Sequence, residues 1–221
     1  MPKRLAYIHT VTTLPAVFKS LSNELIPAVD IFQIVDESLL QNTIQQNRLS
    51  PSTMRRLIDH VASAKEAGAD LVMVTCSSVG PAVDIAKALF EIPVLRVDQP
   101  MADLAVKTGK RIGVAATLQT TLDPTASLIR ARAAAAGKDV EVTTRLCRGA
   151  FEAVTSGDTA RHDELVKAGL QELISEVDVI VLAQASMARV VESLSEAERR
   201  APILSSPRLA VEYLAEFIPT L

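Results

Sequence analysis

The sequence predicts an α/β protein of two pseudo-symmetric lobes, each a parallel sheet of about four strands flanked by helices. Three observations carry this expectation. Short apolar runs alternate with helical patterns along the chain. Ala, Val, Leu and Ile supply most of the 48% hydrophobic content, with only 3% aromatics, a composition that suits strands covered on both faces. The two halves of the chain also repeat each other.

The apolar runs place strands at 4–8, 30–35, 70–75, 93–97, 111–115, 140–145, 178–183 and 202–204. Ser50 as cap, with Pro51 in the first turn, opens a helix in which Met54, Leu57, Ile58 and Val61 recur at helical spacing before Gly68 ends it. Asp123-Pro124 opens another that stops near Gly137, and Ser206-Pro207 opens the last. Leu165, Val166, Leu170, Leu173 and Ile174 line a helix leading into the 178–183 strand.

The repeat appears when the first half is laid on the second. GADLVMVTCSSVG at 68–80 falls on EVDVIVLAQASMA at 176–188, so that Asp70 meets Asp178, Cys76 meets Gln184 and Ser78 meets Ser186. RLAYIHT at 4–10 falls on RIGVAAT at 111–117, and Pro93-Val94-Leu95 falls on Pro202-Ile203-Leu204, with the register held to within one residue. Any two βα units look somewhat alike, but a shared register across three segments goes further than that. The expected lobes are residues 1–98, with 207–221 packing back as a helix, and residues 99–206. The active site is expected in a cleft between them.

In parallel sheets ligands gather at the carboxyl ends of the strands, where helix N-termini present free N–H groups. Those ends carry Thr10 and Thr12, then Thr75, Cys76, Ser77 and Ser78, then Thr117, Thr120 and Thr121, then Gln184 and Ser186. Hydroxyls and small residues with few cations suit a small carboxylate. A net charge of −3, with both signs interspersed, gives no footprint for nucleic acid or an anionic membrane. No apolar run approaches a membrane span, and the N-terminal stretch meets His9 and Thr10 too early for a signal peptide, so the expected location is cytoplasmic. Neither cysteine has metal-binding spacing, and no dinucleotide, phosphate-loop or zinc-protease motif is present. The composition leaves monomer and homo-oligomer open.

Cys76 follows an apolar run and precedes Ser77, Ser78 and a helical pattern, Val79, Val83, Ala86 and Leu89. A lone cysteine beside such a run is commonly a buried small hydrophobe. A thiol at a strand-to-helix turn, however, meets N–H donors and the positive end of the helix dipole. It is therefore expected to titrate below the ordinary thiol value.

VMVTCSSVG, RIGVAATLQTTLDPT and DVIVLAQASMARV, in this order, resemble the three signature regions of the aspartate/glutamate/hydantoin racemase superfamily, and the resemblance spans nearly the whole chain. It implies two lobes closing on a small carboxylate or hydantoin-like substrate. A thiol from each lobe would face one side of an acidic carbon, without pyridoxal phosphate or metal. Cys76 matches the first family cysteine, and Thr117, Gln119, Thr120 and Thr121 match the polar loop that holds substrate oxygens. The stretch 182–187 matches one that reads Leu-Gly-Cys-Ala-Gly-Met in hydantoin-type members, so Gln184 replaces the second cysteine. A neutral amide does not titrate near pH 7, which puts symmetric two-thiol racemisation in doubt.

Other candidates for the second acid or for binding are Cys147, which ends the sixth strand pattern, His162 with Asp163 near a helix start, and Arg145 and Arg148 beside that strand. His9 and Asp36-Glu37-Ser38 end the first two strands and stand as wall residues of the first lobe. Each also has a plain structural reading as a core thiol, a cap or a salt-bridged loop residue. The expected function is a cofactor-independent racemase or isomerase acting on a small carboxylate through the Cys76 thiolate. The alternatives are a single-cysteine decarboxylase, lyase or cis-trans isomerase of the same superfamily, or a non-catalytic protein that binds small acids.

Overall fold

A computed structural model describes residues 2–195 and 200–221. In chain order the elements are β1 (Arg4–His9), α1 (Leu14–Leu25), β2 (Asp30–Val35), α2 (Glu37–Gln45), α3 (Pro51–Glu66), β3 (Leu71–Val74), α4 (Gly80–Ala86), β4 (Val94–Arg96) and α5 (Gln99–Thr108). There follow β5 (Arg111–Ala116), α6 (Gln119–Ala135), β6 (Glu141–Leu146), α7 (Ala150–Thr155), α8 (Thr159–Ile174), β7 (Val179–Leu182), α9 (Ala188–Glu192), β8 (Ile203–Ser205) and α10 (Ser206–Phe217). All eight expected strands form. The chain divides into two compact units, Met1–Gln99 with Pro207–Leu221, and Pro100–Ser206.

Each unit holds one four-stranded, wholly parallel sheet. The orders are β2-β1-β3-β4 and β6-β5-β7-β8, which is one topology used twice. The central strands β1, β3, β5 and β7 are almost wholly buried because helices cover both faces, which is why they read as continuous apolar runs rather than alternating ones. In the first lobe one face packs Ala6, Ile8, Val72 and Val74 against α3 and α4, with Leu57, Val61 and Val83. The other face packs Leu5, Tyr7, Leu71 and Met73 against Phe18 of α1 and Val211 and Leu214 of α10. In the second lobe Ala115, Ile180 and Leu182 meet Val166, Leu170 and Leu173 of α8.

The repeated aspartate is a structural bolt in both lobes. Asp70 Oδ2 accepts the backbone N–H of Arg4 at 2.7 Å, and Asp178 Oδ2 accepts that of Arg111 at 2.8 Å. Each carboxylate thereby joins the starts of two neighbouring strands, at the end of the sheet opposite Cys76 and Gln184.

Helix starts follow local chemistry where a cap is available. The Ser50 hydroxyl accepts the N–H of Thr53 and opens α3, whose C-terminal stop is Gly68 at φ +89°. Helix α6 is different. The sequence placed its start at Asp123-Pro124, yet it begins at Gln119, with Pro124 inside it. Proline removes one hydrogen bond to the carbonyl four residues back. The buried face of Thr121, Leu122, Thr125, Ala126 and Ile129 outweighs that local loss.

Candidate active site

Alternation along the strands decides which polar ends share a face. Thr10 continues the face of Ala6 and Ile8, and Cys76 continues that of Val72 and Val74, with Ile8 and Val74 paired in register. Cys76 stands one residue beyond Thr75 in extended geometry, φ −136° and ψ 117°, at the head of a 3-10 turn, Ser77–Val79, that leads into α4. Four donors meet its sulfur: the Thr10 hydroxyl, the Ser78 hydroxyl, and the backbone N–H groups of Ser78 and Val79. The buried Thr10 hydroxyl makes no hydrogen bond of full geometry among the described residues, and it lies beside the thiol as a donor in reserve.

The expectation of a lowered thiol pKa is corrected here. Burial pushes the Cys76 thiol up, and the four donors only partly offset this. The residue keeps partial solvent exposure. The thiol is thus protonated at rest, and the donors stabilise the thiolate once it forms. Alkylation by iodoacetamide followed against pH is expected to give a midpoint above the ordinary thiol value of about 8.5; a midpoint below it would contradict this arrangement.

His9 and Thr75 continue the opposite face of the sheet, that of Tyr7 and Met73. His9 Nδ1 lies 2.7 Å from the Thr75 hydroxyl, which also reaches the Ile8 carbonyl at 3.2 Å. The hydroxyl of Thr75 is therefore engaged inside the lobe, and it does not join Thr10 and Ser78 around the sulfur. His9 is fully buried, with its ring against Tyr7 and Phe18. Burial lowers its pKa to about 4, partly offset by Gln33, so the ring is neutral at physiological pH. Asp36 caps α2 through the Ser38 N–H and binds Arg56 at 2.7 Å and His60 at 2.8 Å. Partial burial opposes its ionisation, but Ser38, His60 and the Arg56 charge hold it below the usual carboxylate range.

The second lobe repeats the geometry with a different atom. Gln184 stands beyond β7 at φ −136° and ψ 136°, at the head of a 3-10 turn, Ala185–Met187, that leads into α9. Its Oε1 accepts the backbone N–H of Thr117 at 2.5 Å and the Thr117 hydroxyl at 2.9 Å. By the internal repeat Thr117 is the counterpart of Thr10. The amide oxygen thus meets Thr117 where the sulfur of the first lobe meets Thr10. Since the oxygen is held, the amide is oriented, with its NH2 group the donor left over among the described residues. Thr121 is buried near the start of α6, the Thr120 hydroxyl is buried without a partner among the described residues, and Ser186 is exposed. Gln119 turns to Asp123 at 2.6 Å.

Most of the remaining candidates are engaged by neighbours within the second lobe. Cys147 lies in the apolar core of the second lobe, where burial pushes its thiol up to about 11. A Cβ on Gly169 of α8 would come within 2.6 Å of the Cys147 sulfur, so the two residues are fitted to each other. Gly169→Ala is accordingly expected to cost about 1–3 kcal/mol by overpacking. Cys147→Ala in the same chain should recover much of that loss, measured by urea unfolding of the single and double variants. Arg145 pairs with Glu172 at 2.7 Å, and Arg148 is exposed. His162 does not cap a helix. Asp158 caps α8, and His162 is buried within it, its Nδ1 2.7 Å from Asp163 Oδ1, which Arg189 also binds at 2.6 Å.

One group escaped the sequence reading. Arg96, at the end of β4, is buried with Asp98, forming two bonds to it at 3.0 and 2.9 Å and a third to Asp84 of α4 at 2.7 Å. A charged pair closing an apolar strand, as in Val94-Leu95-Arg96-Val97-Asp98, is the signal that could have found it.

The model of the Asp/Glu/hydantoin racemase family matches residues 10–214 of the chain. The chain belongs to this family. It is on that ground a racemase-type enzyme, and racemases are isomerases. Solved structures agree in fold. Glutamate racemase RacE1 from Bacillus anthracis is similar at a TM-score of 0.75 and 20% identity, over 99% of this chain and 82% of that one. Allantoin racemase from Klebsiella pneumoniae is similar at 0.69 and 16%, over 99% and 88%. The Picrophilus torridus aspartate racemase is similar at 0.71 and 14%, over 97% and 94%. No curated protein matches the chain in sequence. Among the described residues no helix is long and apolar enough to cross a membrane, and no group of three or more His, Cys, Asp or Glu side chains could hold a metal ion.

Proposed function

We propose that this member of the racemase family is a single-thiol isomerase for a small carboxylate-bearing compound, of amino-acid, hydantoin-like or dicarboxylic type. Cys76 acts as base or nucleophile, and the Gln184 amide acts as donor to a substrate oxygen. The observation that carries the reading is the pair of Thr117 bonds to Gln184 Oε1, which turns the residue at the second thiol's position into an oriented donor. A neutral amide neither takes nor gives a proton near pH 7, but its N–H can stabilise charge on an oxygen of an enolate-like transition state. In the cycle the fraction of Cys76 that has lost its proton to solvent takes the proton from the acidic carbon, the electron pair delocalises onto the carboxylate or carbonyl oxygen, and the same thiol returns the proton to a different atom of the delocalised system, so that the product is an isomer. The hydroxyls of Thr10 and Ser78 and the N–H groups of Ser78 and Val79 hold the sulfur's charge while it is deprotonated.

Incubation of the enzyme with a panel of such acids in deuterated water tests this. The expected result is deuterium at the carbon beside the carboxyl group in at least one of them, abolished by Cys76→Ala. Loss of carbon dioxide would reassign the chain to decarboxylation. Binding with no exchange at any carbon, across the panel, would overturn an isomerase reading in favour of an acid-binding protein.

A further inference from the structure

The 3-10 turn that supplies two of the donors to Cys76 rests on a buried cation. Gly80 follows the turn directly, and its Cα side faces the Arg96 guanidinium so closely that a Cβ there would collide with Nη2, Cζ and Nε. The guanidinium is held on three edges, by both oxygens of Asp98 and by Asp84 of α4. Arg96 is 4% exposed and Asp98 1%. Burying such a group is costly unless every donor finds a partner and the geometry is close, and the bidentate fork with Asp98 meets that condition. In the second lobe Ser205 and Pro207 stand where the repeat would put Arg96 and Asp98. The lobe that keeps the thiol is therefore the one that keeps the ion triad.

We propose that Arg96 is a positioning residue for Cys76: its planar guanidinium, clamped by Asp98 and Asp84, supports Gly80 and so holds the Ser78 and Val79 N–H groups on the thiol sulfur. Its role is shape rather than positive charge, because two carboxylates more than offset the cation. Lysine cannot replace it, because an ammonium lacks the flat fork that lies under Gly80 and grips Asp98 with two bonds. Gly80 belongs to the same device, as the one residue type that leaves room for the guanidinium.

The inference rests on the proposed role of Cys76, but its test reads the thiol and not turnover, so the two can fail separately. The pH midpoint of Cys76 alkylation is measured for Arg96→Lys, Arg96→Met and Asp84→Asn, in the Cys147→Ala background so that one thiol is read, with thermal melts alongside. Losing the two N–H donors should raise the midpoint by about one pH unit in the Arg96 variants, a tenfold fall in labelling rate below the midpoint. Asp84→Asn removes only one of the three bonds, at a half-exposed carboxylate, and should raise it less. If the Arg96 variants do not fold, Asp84→Asn together with Gly80→Ala decides the matter by the same rise. An unchanged midpoint in natively melting variants would overturn the proposal. So would a lowered one, which would mean that Arg96 keeps water out rather than holding donors in.

Discussion

Replacing Cys76 with alanine is expected to leave no measurable turnover, whereas Gln184→Ala should leave a reduced but measurable rate. The two losses differ because the two groups do different work. Deleting the group that carries the proton or forms the bond removes the reaction path. Deleting an oriented donor raises the barrier, typically by a factor of about 10²–10³. Cys147→Ser should stay close to wild type in rate, because its sulfur packs against Gly169 in the core. Steady-state rates on a substrate found by deuterium exchange decide the point. A dead Cys147→Ser enzyme beside a fully active Gln184→Ala enzyme would make Cys147 the second acid and refute the single-thiol mechanism.

Acid should destabilise the first lobe through His9, by about 3 kcal/mol between pH 6.5 and pH 4. The folded ring, buried against Tyr7 and Phe18, binds its proton only near pH 4, against 6.5 for an ordinary histidine. Between those values the unfolded chain takes up a proton that the folded chain refuses, so stability falls as pH falls through that window and is fully present above it. A difference of this size at about 1.36 kcal/mol per unit gives the magnitude. Urea unfolding at a series of pH values checks it, with His9→Gln as the comparison. The variant has its own baseline stability, but its slope between pH 6.5 and 4 should flatten. A slope that survives the substitution would assign the acid sensitivity to other groups.

How much could be read without coordinates depends on how local the cause is. The eight strands were legible because parallel strands buried on both faces must be apolar along their whole length. The shared topology was legible because a duplicated unit keeps its register, and the matched Asp70 and Asp178 do the same work in both lobes. The position of Cys76 at a strand end followed from the same pattern. Its protonation state did not, since the expected helix-end effect is local and the burial that overrides it is made by residues from distant parts of the chain. The start of α6 was misplaced for a related reason. Asp123-Pro124 is a good local start signal, but the apolar face of the longer helix carries more energy than one missing hydrogen bond.

By itself, then, the sequence determined the fold class, the internal repeat and the place of Cys76 at a strand end with Gln184 at the matching place in the second half, because each is written in spacing along the chain. Tertiary structure alone decided which way each polar group turns. It put Thr75 on the His9 side of the sheet, turned the Gln184 oxygen to Thr117, pressed the Cys147 sulfur against Gly169 and set Arg96 beneath Gly80. Each of these is a contact of a few ångströms between residues distant in sequence, and such contacts are fixed by close packing, in which no side chain can be oriented until its neighbours are in place.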